Sequence, residues 1–128
     1  MRGVGDATHP LEGQVVLLAG SRASVTLERL SELVERAQQH VREHRTEYDR
    51  QFERIDSPDL VFYLVDEGHW RDVGAELGLD ERESDAIRRA HTEQFRRAGR
   101  RLDRQEEFET ALEIREIVVA DSTGEASE

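Results

Sequence analysis

Between Leu27 and Tyr48 the apolar side chains recur with strict three-four spacing: Leu27, Leu30, Val34, Ala37, Val41, then His44 and Tyr48 on the same stripe. Positions three and four apart lie on one side of a helix, so this period commits the segment to a helix with a single apolar face. The pattern shifts to Phe52 and Ile55 and stops at DSPD (56–59), whose residue types favour turns. The spacing predicts one helix over about 27–55, roughly 44 Å long at 1.5 Å per residue. That length exceeds what a chain of 128 residues needs to cover its own core. The seam Leu27, Leu30, Val34, Ala37, Val41 and Tyr48 is therefore expected either to form the spine of a bundle or to pair with a second copy.

Other elements follow from local signals. Pro10 suits a first helical turn, and VVLLA (15–19) continues an element that helix and buried strand explain equally well. The loop GSRAS (20–24) precedes Thr26, an N-cap residue type for the long helix. LVFYLV (60–65) is either one strand or the buried start of a helix; as a strand it needs VVLL or IVV (117–119) as partner. HWRDVGAELG (69–78) reads as a short helix with Trp70, Val73 and Leu77 on one face and Gly78 as its stop. Asp80 with Glu83 forms a capping box for a helix that buries Ile87, His91, Phe95, Ala98 and Leu102. Asp103 with Glu106 spells a second box, for a final helix carrying Phe108, Leu112, Ile114, Ile117 and Val118. Residues 1–9 and 120–128 read as mobile tails around a single helical domain over 10–119.

Charge divides the chain. Twenty-nine acids face 18 basic residues, a net charge of −11, and every one of the 18 is Arg. An acidic, lysine-free surface suits a salt-rich cytoplasm, because Arg is weakly hydrated and pairs bidentately with carboxylates. It argues against a general coat for nucleic acid or membrane. Residues 86–105 reverse the sign: seven arginines against Glu93 and Asp103 make the stretch +5 and leave −16 on the rest. Arg89, Arg96, Arg97, Arg100 and Arg104, projecting opposite the core face, are thus the predicted partner-binding residues. The competing reading pairs them with the acids of the last helix, Glu106, Glu107, Glu109, Glu113 and Glu116.

Catalytic motifs are faint. With no cysteine, disulfides, thiolate nucleophiles and Cys-based zinc sites are excluded. HVREH (40–44) has the H-x-x-E-H order of inverted zinc proteases, and His40 and His44 at i, i+4 can share a metal. A His on the apolar seam is more simply a packed core residue, so no metal and no cofactor are expected. AGSRAS (19–24) lacks the second glycine and the Lys of a phosphate loop, and no G-x-S-x-G elbow is present. No apolar run approaches the roughly 18 residues of a membrane span. The opening MRGVGDATHP has no apolar stretch of the signal-peptide kind.

WRDVGAELGLDERESDAI (70–87) resembles a helix-turn-helix, with Gly74 and Gly78 at the small-residue and turn positions and Ser84 where an apolar residue is expected. The same residues, through Trp70, Val73, Leu77, Leu79 and Ile87, resemble two helices of death-fold domains. Asp80, Glu81, Glu83 and Asp85 would face phosphates unfavourably. Together with this stretch, the lysine-free acidic composition and the closing EEFETALEIRE (106–116) are similar to a family of small uncharacterised haloarchaeal proteins, a resemblance that carries over no site residue. The expected fold is all-α, about five helices with a helix-turn-helix-like unit over 69–101, a small β-ribbon being the alternative. The expected function is non-enzymatic: a cytoplasmic interaction or regulatory protein, homodimeric through the seam, offering its Arg face to an acidic protein. A helix-turn-helix DNA-binding regulator is the alternative. Neither a membrane nor a small-molecule substrate is expected.

Overall fold

The computed structural model describes residues 9–122. The chain runs α1 (Gly13–Ala23), α2 (Leu27–Glu43), α3 (Arg45–Gln51), β1 (Glu53–Asp56), β2 (Leu60–Asp66), α4 (His69–Glu76), α5 (Glu81–Arg101), α6 (Gln105–Leu112) and β3 (Arg115–Asp121). The strands form an antiparallel sheet in the order β1-β2-β3. The fold is therefore mixed α and β, which corrects the all-α expectation.

The sheet forms because LVFYLV finds a partner on each side. Ile55 pairs with Phe62 across the turn at 57–59, and Leu64 and Phe62 pair with Ile117 and Val119. Successive side chains of β2 point to opposite faces. Phe62 meets Phe95 of α5 at 5.3 Å and Phe108 of α6 at 6.4 Å between ring centres. Tyr63, on the other face, lies 5.4 Å from Tyr48 of α3. Helices on both faces explain why Val61 to Val65 are all buried and why this strand reads as an unbroken apolar run.

The outer edge of β3 is not left open. The Val119 N–H donates to His91 Nδ1 of α5 at 2.9 Å, and the Val119 carbonyl accepts from Gln38 Nε2 of α2 at 2.7 Å. The Ile117 carbonyl accepts from Trp70 Nε1 of α4 at 2.8 Å. Three helices thus satisfy backbone groups that an exposed edge strand would offer to another chain.

The predicted helix over 27–55 breaks twice. His44 leaves helical geometry (φ −114°, ψ 17°), and its Nδ1 bonds the His40 carbonyl at 2.8 Å, a terminating contact for α2. Phe52 is extended and leads into β1, so the shift in spacing at Phe52 and Ile55 marks the start of a strand. Four seam residues, Leu30, Val34, Ala37 and Val41, are fully buried and Tyr48 nearly so. They pack inside the chain, where α1, α5 and β3 contact α2. Leu27 is 45% exposed. These residues thus lie in the chain's own core, where the sheet, expected only as the alternative, adds internal area for them to cover.

Elsewhere local signals hold or fail for definite reasons. Thr26 caps α2 through its hydroxyl, and Asp80 and Glu83 form the reciprocal box of α5. Asp103 forms no box. It sits in the left-handed region (φ 58°) while Arg104 N–H donates to the Gly99 carbonyl at 2.8 Å, so it closes α5 instead of opening α6. Helix α6 ends at Leu112, and Ile117 and Val118 belong to β3. Most of GSRAS is helical, with Ser24 as the left-handed stop. Ala120 and Asp121 complete β3; the predicted tails at 1–8 and 123–128 lie outside the described residues. Gly74 faces Ser84: a Cβ on Gly74 would stand 1.8 Å from the Ser84 Oγ, so the two small residues let α4 and α5 meet closely.

Candidate functional site

Each of the five predicted partner-binding arginines has a carboxylate of the chain nearby. Arg89 bonds Asp85 at 2.7 Å, and Arg96 and Arg104 bond Glu109 and Glu107, each bidentately. Arg97 approaches Glu12 and Glu93, and Arg100 approaches Glu93, at 3.6–3.8 Å. Arg101 clamps Glu12 bidentately, and Gln94 donates to the same carboxylate at 2.8 Å. With the Arg101 bonds first and the Gln94 bond second, Glu12 is drawn down to about 2. Most of the ridge is thereby neutralised by intramolecular pairs, and only two of those acids, Glu107 and Glu109, come from α6.

Beside the ridge, α1 and β3 add arginines that have no carboxylate partner among the described residues. A cleft of about 160 Å³ is lined by Arg22 of α1, Arg88, Arg89 and Arg96 of α5, and Arg115 of β3, with Leu18, Ala19 and Leu112 as apolar wall. Only Glu93 and Glu116 oppose these arginines in the lining. Glu116 is already engaged, its carboxylate accepting from the Gly68 and Trp70 N–H groups at the start of α4 at 2.7 and 3.1 Å. Asp85 is shared by Arg88 and Arg89. Arg115 donates to the neutral Leu64 carbonyl at 3.0 Å, and Arg22 has no carboxylate partner among the described residues. A second cleft of about 590 Å³ shares Arg88, Leu112, Arg115 and Glu116 with the first. Of the predicted residues, Arg89 and Arg96 reach the cleft; Arg97, Arg100 and Arg104 do not. Arg22 and Arg115 are isolated in the sequence, and only the packing of α1 and β3 beside α5 brings them there.

A third concave site lies between the α2–α3 segment and α4. Its lining includes His40, His44, Glu47, Tyr48, Phe52, His69, Asp72 and Glu76, around about 250 Å³. Positions 69, 72, 73 and 76 are one face of α4, and 40, 44, 47, 48, 51 and 52 follow the helical period across the break at His44. Tyr48 Oη and His69 Nε2 are 2.7 Å apart. Burial raises the Tyr48 phenol, with Glu76 and Glu47 adding to the effect, and burial lowers the His69 imidazole. Tyr48 therefore keeps its proton and donates it to a neutral ring. Nothing in this pair produces an activated nucleophile.

His40 and His44 do not converge on a metal. Their rings stack at 4.1 Å, one His44 nitrogen is taken by the His40 carbonyl, and His40 Nδ1 is 4.0 Å from Glu76. Burial, then the neighbouring His44, lowers His40. Among the described residues no group of three metal-binding side chains is positioned to hold an ion. In the helix-turn-helix-like unit, Glu83 of α5 is held by Asp80 and Arg29, and acids crowd the end of α5 that would enter a DNA groove.

Fold and sites define a domain of six helices, among the described residues, around a three-stranded antiparallel sheet, with an arginine cleft and a ring-lined groove between helices. The chain belongs to the family described as domain of unknown function DUF8048, whose model matches residues 9–122. Comparison with curated proteins and with solved structures gives no match. No helix among the described residues is long and apolar enough to cross a membrane.

Proposed function

We propose that this domain is a non-enzymatic interaction or regulatory module that receives an acidic protein segment in the cleft of Arg22, Arg88, Arg89, Arg96 and Arg115. The observation that carries this reading is the charge left over in the cleft: Arg22 and Arg115 have no carboxylate partner among the described residues, Arg88 and Arg89 share the single carboxylate of Asp85, and both lining acids are engaged elsewhere, Glu116 by backbone N–H groups and Glu93 by Arg97 and Arg100. The apolar wall of Leu18, Ala19 and Leu112 suits a peptide better than a free inorganic anion. The lysine-free acidic composition and the resemblance to haloarchaeal proteins support a salt-adapted cytoplasm as its setting. At molar salt the screening length is about 3 Å, so recognition there rests on close, bidentate Arg–carboxylate contacts.

The test is fluorescence anisotropy with a labelled Glu/Asp-rich peptide and a labelled DNA duplex, across a salt series in which the protein stays folded. Peptide binding that Arg22→Glu weakens tenfold or more is expected, since a hydrogen bond to a charged group contributes about 1.5–3 kcal/mol. Arg22 is exposed and makes no ion pair among the described residues, so its replacement leaves the fold intact. Absence of peptide binding at every salt, equal binding by the variant, or preference for the duplex would each refute the proposal.

A further inference from the structure

We propose that the groove between α2–α3 and α4 is a binding site for a small organic cation, an alkylammonium head group. This goes beyond the arginine-cleft reading and involves none of that cleft's lining residues. Three rings form one wall: Tyr48, Phe52 and His69 contact one another at 5.5–6.2 Å between centres, two of the pairs edge-to-face. The face of an aromatic ring attracts a cation through its quadrupole, and half-buried Phe52 and His69 are the rings with surface left to offer, Tyr48 being 3% exposed. Burial keeps His69 and His40 neutral near pH 7, so neither opposes a positive guest.

Charge on the rim agrees with this wall. Glu47, Asp72 and Glu76 all line the groove, and no arginine does. Glu47 and Asp72 make no ion pair among the described residues, and Glu76 has only the His40 imidazole at 4.0 Å. Elsewhere in the chain carboxylates and guanidinium groups pair repeatedly. Here an aromatic recess and unpaired carboxylates occur together, which is the combination that recognises an ammonium group on a carbon skeleton. At about 250 Å³ the space is smaller than a typical drug-sized pocket, which limits the guest to a few carbon atoms around the nitrogen. A bare metal ion fits less well, because the imidazoles stack instead of converging.

Titration of the protein with tetramethylammonium, followed through the ring-proton NMR signals of Tyr48, Phe52 and His69, tests the proposal. Neopentanol serves as an uncharged analogue of similar size, sodium chloride as the ionic-strength control, and zinc chloride as the competing metal. Saturable shifts with tetramethylammonium alone are expected. Glu76→Gln and Phe52→Ala should each weaken binding about tenfold, a loss of about 1.4 kcal/mol, with folding checked by the dispersion of the core methyl signals. The proposal is overturned if neopentanol or sodium chloride shifts the same signals equally, or if both variants bind like the parent. It is also overturned if zinc binds the three histidines in preference, or if no saturable shift occurs.

Discussion

His91 offers the sharpest check on the packing described above. Its ring is wholly buried against Trp70, 4.5 Å between centres, and its Nδ1 accepts the Val119 N–H of the sheet edge. That bond requires the neutral tautomer with the proton on Nε2, which has no partner. Burial, then the nearby His69 and His9, lowers this imidazole from 6.5 to about 3. In the unfolded chain the same ring takes up a proton near pH 6.5. Folding stability should thus be complete above pH 6.5 and fall as the pH drops towards 3, because only the unfolded state binds the proton in that window. The slope rises to about 1.4 kcal/mol per pH unit below the unfolded pKa, so the loss between pH 6.5 and 4.5 is about 2 kcal/mol. His91→Asn keeps an acceptor near the Nδ1 position and cannot titrate. Urea unfolding at fixed salt should show the wild type losing about 2 kcal/mol more than the variant over those two units. The cavity left by Asn lowers the variant at every pH alike and does not alter the comparison. The other buried histidines contribute equally to both proteins. Parallel pH profiles for the two proteins would refute the assignment of a buried neutral His91.

Two further outcomes follow from particular contacts. Gly74→Ala should cost about 1–3 kcal/mol by thermal unfolding, because its Cβ meets Ser84, and Gly74→Ala/Ser84→Gly should recover most of the loss; no recovery would deny the contact. Leu30→Ala should cost about 2–5 kcal/mol of stability without changing the mass seen by light scattering, whereas a change of oligomeric state would restore the seam as an interface.

What the sequence made legible was local. Thr26, the Asp80–Glu83 box and Gly78 act within a few residues of themselves, so their letters suffice. The same kind of letters misled at Asp103, where D-x-x-E closes one helix instead of opening the next, a choice made by the chain's path after Gly99. The sheet stood only as the alternative reading, for a tertiary reason. β1 is Glu53–Arg54–Ile55–Asp56, with a single apolar residue, and the other partner of LVFYLV lies more than fifty residues away. The helical period of Leu27–Tyr48 was correctly seen, but a burial pattern cannot tell a cover supplied by the same chain from one supplied by another. In the candidate sites, Arg89 and Arg96 stood out as members of a basic run. Arg22, Arg115, Asp72 and the Tyr48–His69 pair come from separate elements, and no spacing rule joins them.

The three side chains that bond the edge of β3 also set an order of events during synthesis. Gln38, Trp70 and His91 leave the ribosome well before residues 117 and 119, and until then their polar atoms have no backbone to meet. Helices α2, α4 and α5 can form early, but Val61 to Val65 have one neighbouring strand and the core has no closing wall. The nascent chain should therefore stay loosely packed and sensitive to protease until its last strand arrives, then become resistant in one step. Its tolerance of slow translation or truncation is decided at residues 115–121.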